Sequence, residues 1–386
     1  MPQGPLRVEE RTEHFPRITA AALDALRGRI GVKIERTLRP WVSEATRDAI
    51  WHYAQGIGDD NPLWSDEAYA RGTRWGGLLA PPSFLFAASR IVSGYVGGLP
   101  GIHAMFAGTD WQWHRPIRHG TRLGTEAWLK DLIERQTRFA GWAVQQVYHV
   151  DFYDADSGDP LAGCDSWCFR TERATAREEG TKYAGRKPPP VYDDARIADV
   201  ARRYRAERRR GAEPRYWEDM QVGEALPPLL KGPMTVTGFL AYVQGWGGLY
   251  IRAHRIAFHQ FDEHQGLGIP NSFGIPDVPE RVHWEAELAQ AVGAPDAYDY
   301  GPERVSWMGH LMTDWIGDDG RLARLHARIV RHNPVGDLLT LSGQVTGKRR
   351  EQGRCLVDCA LVARNQDGED SCLAEATAEL PSRERA

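Results

Sequence analysis

The spacing of hydrophobic residues divides the first part of the chain into helical segments followed by strands. Apolar residues at helical spacing predict a helix in ITAAALDALRGRI and another from Ser43 to Gly58, with Ser43 as its N-cap. A third helical pattern, APPSFLFAASRIVSGYV, precedes a run of alternating segments that begins near His103. These strand-like segments are HAMFAGTDWQWHRPI, TRLGTEAWLKDLIE, GWAVQQVYHVDFYDA and LAGCDSWCFRTE. The order predicts helices first and a meander of strands afterwards.

The same order of elements recurs in the second part of the chain. YVQGWGG, at positions 242–248, matches YAQGIGD, at positions 53–59, residue by residue. RHNPVGDLLTLSGQVTGK corresponds to RPIRHGTRLGTEAWLKD, and GRCLVDCALVARNQDGEDSCLAE to GWAVQQVYHVDFYDADSGDPLAG. Trp307, Leu311 and Trp315 lie at helical spacing and predict a central, mostly buried helix in the second copy. We therefore expect two copies of one unit fused in a single chain, with Tyr53 and Tyr242 in equivalent positions.

Composition marks the boundaries between the copies. The predicted organisation is a first unit with a helical preamble at 1–175, a proline- and arginine-rich linker at 176–214, and a second unit at 215–386 with an insertion at about 249–282. The arginine-rich helix of the linker could hold an anionic cofactor, although charge runs more often form a solvated face. The insertion contains the irregular stretch GIPNSFGIPDVP and is expected to form a lid over the second pocket.

Charge and cysteine content exclude several classes of function. A net charge of −4 and a pI near 6.4 give no broad attraction for nucleic acid or an anionic membrane. The sequence lacks the apolar run of a membrane span or signal peptide, so a cytoplasmic protein is expected. The two CxxxC pairs fall in strand-like segments, and His254, His259 and His264 recur at intervals of five residues that would not share one helical face. Neither a metal nor a cofactor is predicted.

One stretch carries a family resemblance. GDDNPLWSDEAYA resembles the GDxNPxHxDxxxA signature of MaoC-like hydratases and dehydratases, and the N-terminal half is also similar to the FAS1-type dehydratase domain. The resemblance implies an α+β protein of two fused hot-dog units, a double hot-dog, in which antiparallel sheets pair and wrap long helices. It also implies a substrate that is an acyl thioester of coenzyme A or of acyl carrier protein, and reversible addition of water to an enoyl thioester to give a 3-hydroxyacyl thioester.

The first copy keeps only part of the family's catalytic set. In the family, the aspartate of GD and the histidine five residues later hold and deprotonate a water, and a glycine eighteen residues after that histidine donates its N–H to the thioester oxygen. In the first copy these positions are Asp59, Trp64 and Pro82. Tryptophan cannot accept a proton and proline has no N–H, so the first copy is expected to be inactive.

The second copy keeps the complementary part. Gly248 stands at the aspartate position, whereas His283 and Gly301 retain the proton-handling group and the N–H donor. The resemblance therefore implies a single catalytic site in the second pocket, with a carboxylate recruited locally. Asp299 is the first choice for that carboxylate, followed by the secondary candidates Glu285 and Asp262.

Asp59 is then expected to be structural and to lie in a different pocket from His283. Together with Asn61 and Trp64 it remains a secondary candidate for contact with substrate. Two alternatives stay open: a non-catalytic acyl-thioester-binding or partner subunit, and a hot-dog thioesterase. The insertion and the fourteen tryptophans favour a bulky acyl group. The sequence leaves open the choice between coenzyme A and carrier protein, and whether the fused pair forms a homodimer.

Overall fold

The computed structural model of the protein describes residues 17–34, 39–95, 97–99, 102–137, 141–172 and 188–384. Two predicted features lie wholly or partly outside these residues: the N-terminal stretch, which is expected to lack a signal peptide, and the linker. The helices are α1 (Ala20–Arg27), α2 (Arg47–Gly56), α3 (Glu67–Arg71), α4 (Asp194–Ala206), α5 (Val236–Trp246), α6 (His254–Glu263), α7 (Ala286–Ala291) and α8 (Gly301–Ile316). Short 3-10 helices occupy Pro62–Trp64, Pro82–Ala88, Trp217–Asp219, Gln265–Leu267 and Pro279–His283.

Nine of the strands form one antiparallel sheet that contains both copies. The strands are β1 (His103–Trp113), β2 (Leu123–Thr137), β3 (Gly141–Asp154), β4 (Pro160–Thr171), β5 (Ala225–Lys231), β6 (Ile269–Pro270), β7 (Pro276–Asp277), β8 (Arg321–Ile329), β9 (Leu339–Glu351), β10 (Arg354–Arg364) and β11 (Asp370–Glu379). Their order is β2-β3-β4-β1-β8-β11-β10-β9-β5, and β6 pairs with β7 alone in the insertion.

The strand order confirms the internal repeat. Counting outward from the β1–β8 seam, the first copy runs β1, β4, β3, β2 and the second runs β8, β11, β10, β9. At the outer edges, β5 pairs with β9, and Ile30 and Lys33 make bridges to β2. The sheet is therefore symmetric about its centre, and the correspondences read from the sequence align β2 with β9 and the β3–β4 hairpin with β10–β11.

The α2 and α5 helices, one from each copy, cross closely at a pair of glycines. A Cβ atom on Gly245 would lie 2.6 Å from the carbonyl oxygen of His52, and one on Gly56 would lie 2.9 Å from the carbonyl oxygen of Ala241. The rings of Tyr53 and Tyr242 are 6.3 Å apart at this crossing. Because each glycine lies against the backbone beside the other copy's tyrosine, the prediction that Tyr53 and Tyr242 are equivalent is confirmed.

A side chain at this crossing is expected to destabilise the fold. Gly245→Val should lower the free energy of unfolding by about 1–3 kcal/mol or more, because the methyl groups would force the two helix backbones apart. The control is Gly238→Ala in the same helix, where the added Cβ meets only the Thr235 hydroxyl at 3.4 Å. Thermal melting of both variants checks this, and equal melting temperatures would contradict the close crossing.

The central helices of the two copies differ. In the second copy, α8 contains sixteen residues and buries Trp307, Leu311 and Trp315, as predicted. In the first copy, the predicted helix from APPSFLF onward is only the 3-10 helix Pro82–Ala88, so the helical interpretation of the following residues was wrong. Gly94 there has a φ of +103°, which a right-handed helix excludes. The N-cap of α2 is Thr46 and not Ser43, because the Thr46 hydroxyl accepts from the backbone N–H of Ala49.

The linker packs against the second unit. Val200 of α4 is buried with Leu230 and Leu338, and the Tyr204 hydroxyl donates to the carbonyl oxygen of Gly232 at 2.6 Å. Further along, the Arg209 guanidinium pairs with Asp60 of the first unit at 2.7 Å. Among the described residues, the helices are either too short or too polar to cross a bilayer.

Candidate functional site

A cavity of about 1540 Å³ lies where both copies meet the insertion. The first copy contributes Phe106 of β1, the insertion contributes Gln260 of α6, and the second copy contributes His283 and Gly301. The walls therefore come from three separated parts of the chain. The insertion lines this cavity, and its role as a lid stays a prediction.

His283 lies at the end of the 3-10 helix Pro279–His283 and lines this cavity. Its Nδ1 is 2.7 Å from the carbonyl oxygen of Tyr298, so Nδ1 carries the proton and donates it to that oxygen. Its ring stacks on Tyr300 with the centroids 3.7 Å apart. Burial lowers the pKa of His283 to about 4, so the ring is neutral near pH 7. The remaining lone pair on Nε2 can accept a proton.

Gly301 is the first residue of α8 and also lines the cavity. The N–H groups of a first helical turn have no partner within the helix, and the helix dipole adds partial positive charge there. A Cβ on Gly301 would lie 2.3 Å from Cδ1 of Phe106, so only glycine allows β1 to pack against this helix start. The site therefore offers an N–H donor of the kind that stabilises a developing oxyanion.

The three carboxylates predicted as partners of His283 are engaged elsewhere or exposed. The Asp299 carboxylate accepts from Nε of the buried Arg304 at 2.8 Å and from Asn333 at 3.0 Å. Glu285 pairs with the guanidinium of Arg281, and Asp262 is an exposed residue of α6 at the cavity wall. Within the described parts of the chain, none of the three carboxylates is hydrogen-bonded to His283. In the structure, Asp299 is paired with Arg304 and not with His283.

Glu280 is a carboxylate that the sequence interpretation missed. It is fully buried, lines the cavity and accepts hydrogen bonds from the backbone N–H groups of Leu249 and Tyr250. A Cβ atom on Gly248 would lie 3.2 Å from Oε1 of Glu280. The Glu280 carboxylate thus occupies space beside Gly248, the position of the missing family aspartate. Burial raises the pKa of this carboxyl group.

Glu280 and His283 project from the same side of their 3-10 helix. In a 3-10 helix, three residues complete a turn, so positions i and i+3 eclipse one another. The signal available in the sequence was that Glu280 precedes His283 by three residues, as Asn61 precedes Trp64 in the first copy. Without the helix type, that spacing did not distinguish Glu280 from its acidic neighbours.

Asp59 lies in a second, polar cavity of about 1000 Å³. Its Oδ1 is 3.5 Å from Nε2 of His310, and Nδ1 of His310 is 2.9 Å from Nζ of Lys231. Asp59 and His283 are therefore in different cavities, as predicted. His310 was read from the sequence only as part of a core helix, although it supplies the histidine that Asp59 lacks in its own copy.

Lys231 determines the hydrogen-bond directions in this second cavity. Its ammonium group also donates to the carbonyl oxygens of Ile57 and Gly58, so its third proton goes to Nδ1 of His310. His310 then carries its proton on Nε2, which lies 3.2 Å from Asp314 and 3.5 Å from Asp59. Burial lowers the pKa of His310 to about 3. Asp59, His310 and Asp314 are spaced closely enough for a metal ion, and binding one through Nε2 would require His310 to give up the proton on that atom.

The position in the first copy that corresponds to the His283 site is closed. Asn61 accepts from the backbone N–H of Leu63 at 3.0 Å and donates its own backbone N–H to Asp59 at 3.1 Å. The buried Trp64 ring fills the space beside it, and the carbonyl oxygen of Pro82 accepts from the indole N–H of Trp113. The residual cavity here is only about 60 Å³.

Comparison with known proteins agrees with this architecture. Residues 30–155 match the family model described as the FAS1-like dehydratase domain region. Over 94 residues the chain is 28% identical to a UPF0336 protein of Streptomyces avermitilis, which covers 23% of this chain and 63% of that relative. Over 85 residues it is 31% identical to a UPF0336 protein of Streptomyces griseus, and this match covers 21% of this chain and 57% of that relative. The chain thus spans about three fifths of the length of these curated relatives.

Two solved structures extend the similarity over nearly the whole chain. A MaoC-like dehydratase is 17% identical with a TM-score of 0.65, covering 92% of this chain and 100% of that one. A conserved hypothetical protein of Mycobacterium tuberculosis, described as having a double hot-dog fold, is 10% identical with a TM-score of 0.50. The match covers 91% of this chain and 96% of that one. Residues 30–155 therefore resemble the FAS1-like dehydratase domain region, and the chain as a whole has the double hot-dog fold.

Proposed function

We propose that this protein catalyses the reversible addition of water to an enoyl thioester in the His283 cavity. The observation that carries the proposal is the convergence of three groups on one cavity: the open Nε2 of neutral His283, the buried carboxyl group of Glu280, and the N–H of Gly301 at the start of α8. These are a base, an acid and an oxyanion donor, which hydration of an activated double bond requires.

In the hydration direction, Nε2 of His283 takes a proton from water as the water oxygen bonds to the β-carbon. The π electrons move toward the thioester, and negative charge develops on its oxygen beside the Gly301 N–H. The Glu280 carboxyl group, whose pKa burial raises, is the group we assign to give a proton to the α-carbon. His283, whose pKa burial lowers, is the group we assign as the base. Dehydration is the reverse sequence.

The same cavity supports a substrate with a large acyl group. Its volume of about 1540 Å³ exceeds the roughly 300–1,000 Å³ usual for small-molecule pockets. Coenzyme A is the carrier we favour. The first copy contributes walls to the cavity while its own pocket is closed by Trp64 and Pro82, so we assign it a supporting role.

Glu280→Gln is expected to lower turnover of an enoyl-coenzyme A substrate by about 10- to 100-fold. The amide keeps the shape of the side chain, but it has no carboxyl proton to transfer, and its NH₂ group replaces one of the two oxygens that accept from backbone N–H groups. The assay follows loss of the enoyl thioester absorbance. Glu285→Gln is the matched control, since that side chain contacts Arg281 and does not line the cavity. Thioester hydrolysis without hydration would instead indicate a hot-dog thioesterase.

A further inference from the structure

One end of the large cavity carries arginines that lack anionic partners. Nε of Arg90 is buried without a hydrogen-bond partner, and the Arg90 guanidinium donates to none of the described residues. Arg252, from the insertion, lines the same cavity. Among the described residues it donates to the carbonyl oxygen of its neighbour Ile251, and its guanidinium lies 5.4 Å from the centre of the Trp41 ring. An arginine carries its charge at any pH near neutrality, so these are two incompletely neutralised cations.

These arginines are close to one another and to the reacting groups. Burial lowers the pKa of Arg90, and the nearby charge of Arg252 lowers it further. Both arginines also act electrostatically on Glu280 and oppose the effect of burial on its pKa. Glu280 in turn acts on Tyr300, whose ring stacks on His283. The contacts agree: the backbone N–H of Tyr250, two residues before Arg252, donates to Glu280, and the Tyr250 ring lies 5.9 Å from that of Tyr95, whose N–H donates to the carbonyl oxygen of Arg90. The arginines and Glu280 therefore line one end of the cavity.

Glu280 does not form an ion pair with these arginines. Glu280 accepts from two backbone N–H groups, and within the described residues neither arginine is hydrogen-bonded to it. Arg170 adds a third positive charge at the cavity wall and donates to the carbonyl oxygens of Leu99 and Ile102. Like-charged side chains held together in a partly desolvated cavity are costly unless an anion binds between them.

We propose that Arg90 and Arg252 bind a carboxylate carried by the acyl group, so that the substrate is an enoyl thioester with a second, free acid group. The inference rests on the proposed function. Coenzyme A also carries anions, but its pantetheine arm separates the phosphates from the thioester by its full length, whereas this cluster adjoins the reacting groups. A guanidinium pair matches the two oxygens of a carboxylate and holds it in a fixed orientation.

The test compares two enoyl-coenzyme A esters of equal chain length, one ending in a methyl group and one in a carboxylate. We expect the wild type to hydrate the carboxylate-ended ester with the higher kcat/KM. Arg90→Gln should lower kcat/KM for that ester by about 10- to 100-fold, mainly through KM, and lower that of the methyl-ended ester far less. Arg255→Gln is the control, because Arg255 is an exposed arginine of the same insertion. Thermal melting verifies that both variants fold.

A second arm replaces coenzyme A by N-acetylcysteamine, which has no phosphates. The loss in Arg90→Gln should persist for the carboxylate-ended N-acetylcysteamine ester. A loss that is equal for both coenzyme A esters and absent for both N-acetylcysteamine esters would assign the arginines to the carrier's phosphates and overturn the inference. An unchanged preference in Arg90→Gln would also overturn it.

Calorimetric binding of saturated acyl-coenzyme A esters separates this inference from the proposed function. If the wild type hydrates neither enoyl ester but binds the carboxylate-ended saturated ester more tightly than the methyl-ended one, and Arg90→Gln loses that preference, the anion site stands and the hydratase proposal fails. If the wild type hydrates both enoyl esters without any preference for the carboxylate, the hydratase proposal stands and the anion site fails.

Discussion

His283→Ala should reduce the turnover of enoyl-coenzyme A hydration by about 10²–10⁴, the range that positioned acid–base groups contribute in enzymes. The alanine removes Nε2, the proton acceptor facing the cavity, and the stacking contact with Tyr300. Because burial lowers the pKa of His283 to about 4, the base stays unprotonated at neutral pH. In the wild type, its contribution to activity should be lost only as the pH falls through about 4.

Asp59→Asn is the comparison for this prediction, since Asp59 lies in the other cavity beside His310. We expect it to cost far less activity than His283→Ala, and melting temperatures separate inactive protein from unfolded protein. Retention of activity in His283→Ala together with its loss in Asp59→Asn would move the active site to the polar cavity.

Asp299→Ala should lower the free energy of unfolding by about 3–5 kcal/mol, because it leaves the guanidinium of Arg304 buried without its counter-ion. Both side chains of this pair are almost completely buried. The Arg304 guanidinium cannot turn to solvent, since it also donates to the carbonyl oxygen of Ser371 from inside the core. Urea denaturation of the variant and the wild type measures the difference.

The control is Asp219→Ala, which breaks the exposed pair with Arg383 and should change stability by less than about 1 kcal/mol. The conservative Asp299→Asn variant separates a structural role from a catalytic one. If it retains the wild-type melting temperature but loses hydration activity, then Asp299 is the carboxylate that acts with His283, as the sequence suggested.

Local patterns were sufficient for most of the strands and for the internal repeat, and the family resemblance implied the double hot-dog arrangement. Strands such as β3 and β10 alternate clearly, and the paired motifs around Tyr53 and Tyr242 revealed the symmetry before any contact was known. The exception was the segment after Ala88, SRIVSGYV, where apolar residues at helical spacing predict a helix that the described residues of this segment do not form. That segment takes its conformation from the core around it and from Gly94, so its helical appearance was misleading.

The site depended on contacts between distant residues. Asp299 was attractive because it is next to Tyr300 and Gly301 in sequence, but its partners Arg304 and Asn333 fix it in the core. Glu280 and Gly248 are 32 positions apart in the sequence and come together because the insertion between them folds back on itself. The spacing of hydrophobic residues does not predict such a long-range contact. His283 and Gly301 were predicted because the family spacing continues beyond the insertion, and the structure places both along one cavity.

Because the two copies share the walls of the large cavity, their fusion in one chain determines how the complete cavity depends on protein concentration. Phe106 and Arg90 come from the first copy, and Glu280 and His283 come from the second. If these copies were separate chains, their association would depend on concentration. Fusion makes that association intramolecular, with a fixed one-to-one stoichiometry and a high effective concentration. The complete cavity therefore persists however few molecules the solution contains.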